Sequence, residues 1–216
     1  MQPAAIIFDL DGTLIDTEAE WDEVRRGLAA DAGLPWPDGS TQAMMGMSTP
    51  EWALHLVEVV GLPMTPEDAA RLTIEHMARR HETDLKVLPG AVAAVRLLAQ
   101  EYPMAVASSS PRLLIESAVD ALGLDDVFPV RVSTEEVAAG KPAPDGFLRA
   151  AELLGVDPTR CVAFEDSTNG IKSALNAGMK VIVVPPHFHR PADELLAQTR
   201  VLDSLEDLTL DVIAEL

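Results

Sequence analysis

The run Phe8 to Glu18, FDLDGTLIDTE, closes a short apolar segment with two aspartates two residues apart and then turns at once on Gly12. The segment it closes, Ala5 to Leu10, is apolar at every position but Asp9, as expected of a strand buried on both faces. Similar runs recur at Met104 to Ser109, Arg160 to Asp166 and Lys180 to Pro185, with a less fully apolar one at Val130 to Thr134. Between them, Gly90 to Glu101, Pro111 to Gly123, Pro144 to Gly155 and Asn169 to Gly178 carry helical period. Strands alternating with helices predict an α/β fold, a parallel sheet wrapped by helices.

The stretch from Asp16 to about Lys86 breaks this rhythm, with no convincing strand. It has two marked helix starts, Ser48-Thr49-Pro50-Glu51 and Thr65-Pro66-Glu67-Asp68, each offering a hydroxyl cap, a proline in the first turn and acids behind it. Residues 16–86 therefore read as a small helical insert between two parts of one core domain, 1–15 and 87–216. The hinges expected are the segment after Gly12 and Asp84 to Gly90, where Pro89-Gly90 marks a turn.

The chain has 216 residues, 48% of them hydrophobic, enough for a sizeable core. Its formal charge of -19 repels nucleic acid and anionic membrane surfaces, so neither is expected as a partner. Cys161 is the single cysteine, no apolar run approaches membrane-span length, and the amino-terminal residues lack a basic leader. The expected location is cytoplasmic, as a monomer or weak homodimer.

The chemistry gathers at the carboxyl ends of the strands, where open parallel sheets bind ligands. Asp9 and Asp11 follow the first strand, Ser108 to Ser110 the second, and Glu165 with Asp166 a later one, while Lys141 precedes a helix in GKPAPD. Four gathered carboxylates repel unless a cation sits among them, and an all-oxygen set suits Mg2+. A carboxylate can also attack phosphorus, giving an aspartyl-phosphate. Asp11 is close enough to protonate the leaving alkoxide and later to take a proton from water. Lys141 would offset charge, and Ser108 with nearby backbone N–H groups would hold a phosphoryl oxygen.

These four clusters, in chain order, resemble the motifs of the haloacid dehalogenase superfamily, and the likeness spans nearly the whole core. The resemblance implies a Rossmann-like sheet with a mobile helical cap inserted after the first motif. It implies Asp9 as nucleophile, Asp11 as acid/base and a metal ligand through its carbonyl, Asp166 as metal ligand, and Glu165 as metal ligand or its support. Within the superfamily, DTEAEWD, ASSSP and CVAFEDSTNGIKSA resemble the hexitol and 2-deoxyglucose-6-phosphate phosphatases. The expected activity is Mg2+-dependent hydrolysis of a small phosphate ester, a sugar or sugar-alcohol phosphate.

The alternative is a β-phosphoglucomutase-like phosphoryl transfer. Mutases need extra cations for a second phosphate, and Met45, Thr49 and Pro111 stand where those would align, with Trp21 in place of a histidine. A phosphorylated receiver module and an inactive binding protein also compete, but the insert and Asp11 favour turnover. Ser109 and Asn169 are further phosphate-binding candidates, Asn169 alternatively capping a helix that begins at Gly170. His187 and His189 read as a solvated loop, Cys161 as a core residue, and Trp21, Met45, Met47 and Trp52 as either cap packing or substrate wall.

Overall fold

The computed structural model describes residues 2–44, 47–186 and 190–216. Met45, His187 and His189 lie outside them. The chain divides into two compact units, Met1–Asp16 with Leu85–Leu216, and Thr17–Asp84.

The first unit is built on six parallel strands: β1 (Ala5–Phe8), β2 (Met104–Ser108), β3 (Val130–Ser133), β4 (Cys161–Glu165), β5 (Lys180–Val183) and β6 (Arg200–Val201), in the spatial order β3-β2-β1-β4-β5-β6. Their alternation explains why both faces are buried. Ile6, Phe8, Val106, Phe164 and Ile182 face one way, and pack with Val95 and Leu98 of α5 (Ala91–Leu98) and Ile115 and Val119 of α6 (Arg112–Ala121). Ile7, Ala105, Ala107, Ala163 and Val181 face the other way. They pack with Phe147 and Ala151 of α7 (Asp145–Leu154) and Ile171 and Ala174 of α8 (Thr168–Asn176). At the centre, Phe8 stacks on Phe164 with centroids 4.3 Å apart and meets Phe128 edge-on.

Register brings the strand ends level. Phe8 pairs with Val106 on one side and Phe164 on the other, so Asp9, Ser108 and Glu165 emerge together at the carboxyl ends of the three central strands. The order also reverses at β1, which is where such sheets open a crevice. The chain leaving β1 is held to the chain returning to the unit: Asp16 N–H donates to Lys86 O at 2.8 Å and Leu88 N–H to Leu14 O at 3.0 Å.

Among the described residues the second unit has four helices, α1 (Glu18–Asp31), α2 (Ser40–Met44), α3 (Thr49–Glu58) and α4 (Pro66–Asp84), around Leu28, Met44, Trp52, Leu56, Leu62 and Ala69. Both marked helix starts are used. Glu51 accepts from Ser48 N–H at 2.8 Å, and the Thr65 hydroxyl accepts from Asp68 N–H at 3.1 Å. Two short helices, α9 (Asp193–Leu196) and α10 (Leu210–Ala214), complete the chain in the first unit.

Candidate active site

After β1 the chain winds tightly, Leu10 O accepting from the N–H groups of Thr13, Leu14 and Ile15. Gly12 permits the turn: its φ is +85°, and a Cβ there would lie 2.3 Å from Asp166 Oδ2. This delivers Asp9, 5% exposed, against the ammonium of Lys141 at 2.5 Å. The same ammonium reaches Glu165 Oε1 at 2.6 Å, so one lysine bridges the acids of two neighbouring strands. The loop that carries it is tied to α8, where Ser173 donates to Ala143 O at 2.6 Å and Asn176 to Pro142 O at 3.1 Å.

The other Glu165 oxygen is spent on its own chain, accepting from the backbone N–H groups of Asp166 and Ser167 at 3.1 and 3.2 Å and from the Ser167 hydroxyl at 3.1 Å. Asp166 differs. Its Oδ1 is buried without a hydrogen-bond partner. Carboxylate oxygens of Asp9, Glu165 and Asp166 all fall within 4.8 Å of one another.

Burial drives the Asp9 carboxyl up to about 7, with Lys141 pulling against it and Glu165 adding to it. Asp166 is raised well above the usual carboxylate range, by burial first and then by the charges of Glu165 and Asp9. At Lys141, burial opposes the charge but the two acids outweigh it, and the net shift is upward. Three close buried acids facing one ammonium are short of positive charge. An oxygen-only donor set with one orphaned oxygen fits a hard divalent cation, which this cluster is able to bind.

Asp11 lies beside the cluster, its Oδ2 accepting from the Ser110 hydroxyl at 2.6 Å. The Ser108 hydroxyl is buried and accepts from Ser110 N–H at 3.0 Å. It does not cap α6, whose N-terminus follows Pro111. Ser109 is exposed. Asn169 is exposed too, within the first turn of α8; the capping role belongs instead to Ser167, which accepts from Gly170 N–H at 3.0 Å. Cys161 is buried in β4, its thiol pushed up to about 11 chiefly by burial, in keeping with a core residue.

Sequence reasoning gave no role of their own to three residues. Ser110 orients Asp11, and Ser133 at the end of β3 fixes Ser110 by donating to its carbonyl at 2.8 Å. Gly170 is the third, since a Cβ on it would lie 1.8 Å from Glu165 Oε1. The serine run and a glycine inside a helical pattern were the available signals.

The haloacid dehalogenase-like hydrolase model matches residues 3–178. The chain belongs to that family. It is an enzyme of the hydrolase class, and several of the relatives it resembles are phosphatases. Hexitol phosphatase B of Escherichia coli is 33% identical, over 96% of this chain and 95% of its own. The bifunctional riboflavin kinase/FMN phosphatase of Arabidopsis thaliana is 34% identical over 96% of this chain, which spans about half, 55%, of that longer relative. Among solved structures, CbbY from Rhodobacter sphaeroides, in complex with phosphate, superimposes with a TM-score of 0.87 at 27% identity, covering 98% of this chain and 99% of that one. The expected resemblance and the α/β fold are therefore both borne out.

Proposed function

We propose that this hydrolase is a Mg2+-dependent phosphatase acting on a small sugar or sugar-alcohol phosphate through an aspartyl-phosphate on Asp9. The observation that carries the reading is the bridge from Lys141 to Asp9 and Glu165 at the ends of the central strands, with an orphaned Asp166 oxygen beside it. The hexitol phosphatase relative supports the substrate class.

Asp9 attacks phosphorus as the ester P–O bond breaks, and Asp11 gives its proton to the departing alkoxide. Asp11 then removes a proton from water as the water oxygen bonds to phosphorus. The bond from Asp9 to phosphorus breaks, inorganic phosphate leaves, and the carboxylate is restored. Ser110 keeps Asp11 turned for both transfers. Lys141 holds Asp9 and balances phosphoryl charge, while Ser108, with Ser109 beside it, takes a phosphoryl oxygen, and Asn169 is a further candidate for binding the phosphate. Mg2+ would be held by Asp9, Asp166, the Asp11 carbonyl and Glu165, supplying positive charge for the phosphoryl oxygens. The helical unit Thr17–Asp84 takes the part of a specificity cap, and the enzyme is assigned to the cytoplasm. Among the described residues no helix is long and apolar enough to cross a membrane.

A phosphate-release screen over sugar, polyol, nucleotide and glycolate phosphates, with and without Mg2+, tests this directly. Asp9→Asn should lower turnover by roughly a thousandfold or more while the fold is retained, since an amide is a far poorer nucleophile. Near-normal rates would remove Asp9 from its role. An isomeric sugar phosphate in place of free phosphate would mark transfer rather than hydrolysis.

A further inference from the structure

Arg25, on α1 of the helical unit, is only 8% exposed. Its guanidinium carbon lies 4.8 Å from the centre of the Trp21 ring and 4.9 Å from that of Trp52, the two rings being 5.8 Å apart. Nε is enclosed without a hydrogen-bond partner, and among the described residues no hydrogen bond or ion pair reaches the rest of the group. Asp22 is the nearby acid, but its carboxylate is committed, Oδ2 to Arg26 at 2.6 Å and Oδ1 to the Thr41 hydroxyl. Burial draws the Arg25 pKa down to about 10, so the group stays charged at neutral pH.

The next residue shows what a structural arginine looks like on this helix. Arg26 also lies over an indole, 5.0 Å from the Trp36 ring, but it is exposed and donates to both Asp22 and Thr41. Arg25 has the stacking without the pairing. Attraction to ring faces is weaker than the hydration lost by a buried, unpaired cation. The planar fork matches two oxygens of a carboxylate or phosphate, and in so acidic a chain an unpaired buried cation calls for an anion from outside.

We propose that Trp21, Arg25 and Trp52 form a binding site in the helical unit for a small organic oxyanion, the guanidinium taking two of its oxygens and the indoles its carbon face. The site stands independently of the hydrolytic reading. The chain's three tryptophans are all in this unit, so intrinsic fluorescence reports on it.

A Trp36→Phe variant, with divalent cations chelated, is titrated with inorganic phosphate, with gluconate, and with the neutral polyol sorbitol. A saturable change in emission with an anion and none with sorbitol is expected; phosphate alone, gluconate alone or both identifies which oxyanion the fork accepts. Arg25→Met in that background should abolish the response and raise the melting temperature by a few degrees, because an unpaired charge leaves while the apolar contacts remain. Arg25→Lys keeps the charge without the fork and should bind about tenfold more weakly or worse. No saturable change with either anion at millimolar concentration overturns the proposal. So does an unaltered response in Arg25→Met, or in Arg25→Lys should the methionine variant fail to fold.

Discussion

Gly170 imposes a close steric constraint on the candidate site. It sits in the first turn of α8, and a Cβ added there would lie 1.8 Å from Glu165 Oε1 and 1.9 Å from Cδ, far inside any tolerable contact. The glycine therefore clears the space in which Glu165 reaches Lys141. Gly170→Ala should push that carboxylate aside, lowering turnover by about a hundredfold and weakening Mg2+ binding by about tenfold. Adding Glu165→Asp to the same chain shortens the acid by one methylene and should recover part of the Mg2+ affinity, measured by calorimetry. Parent-like Mg2+ affinity in Gly170→Ala would show that the close approach does not matter. The five charged groups were legible in the sequence because their chemistry is carried by residue type and by position at strand ends. Gly170 and Ser110 were not. What each does depends on how a helix or loop is set against a neighbouring strand, which no local spacing expresses.

Among the elements, strands β1 to β5 and helices α5 to α8 of the first unit were legible from apolar period, and within the insert the two helices that start on a hydroxyl, a proline and acids were legible as well. α3 begins at a Ser48–Glu51 capping box and α4 at the Thr65 hydroxyl. α1 begins after Thr17, which makes no side-chain cap bond although Thr17-Glu18-Ala19-Glu20 has the spacing of a capping box, and it lacks the proline that marks the first turns of α3 and α4. β6 is two residues at a sheet edge, too short for any alternation to register. These local terms have measurable size. Gly27 lies within α1, has no atom within 4 Å of a would-be Cβ, and is not in a left-handed conformation. Gly27→Ala should stabilise the helical unit by about 0.5–1 kcal/mol, chiefly by reducing the freedom of the unfolded chain. Thr65→Ala removes the acceptor for Asp68 N–H at the head of α4 and should cost about 1 kcal/mol. Urea unfolding followed by tryptophan emission reads both changes in this unit. A destabilised Gly27→Ala would mean that the open space around that position is filled.

At the scale of the whole chain, the acidic cluster and the net charge of -19 act in the same direction. Asp9 and Asp166 both hold protons more tightly in the fold than an ordinary aspartate does, Asp9 up to about 7. Between the usual carboxylate range and that value the folded chain binds more protons than the unfolded one, so its stability falls as pH rises. The contribution is fully present below the ordinary aspartate pKa and is lost through about 7. Self-repulsion grows over the same interval. A cation that binds deprotonated oxygens must displace those protons, so its stabilising effect should run the opposite way. Millimolar Mg2+ is therefore expected to raise the melting temperature more at pH 8 than at pH 5, and calorimetric heats should vary with the ionisation enthalpy of the buffer. Asp166→Asn removes one of the crowded charges; it should raise the metal-free melting temperature at pH 8 and lose most of the Mg2+ gain. Sodium chloride at matched ionic strength screens the surface without entering the cluster. If it reproduced the Mg2+ effect, or if that effect were the same at both pH values, the divalent cation would be acting on the acidic surface and not between Asp9, Glu165 and Asp166.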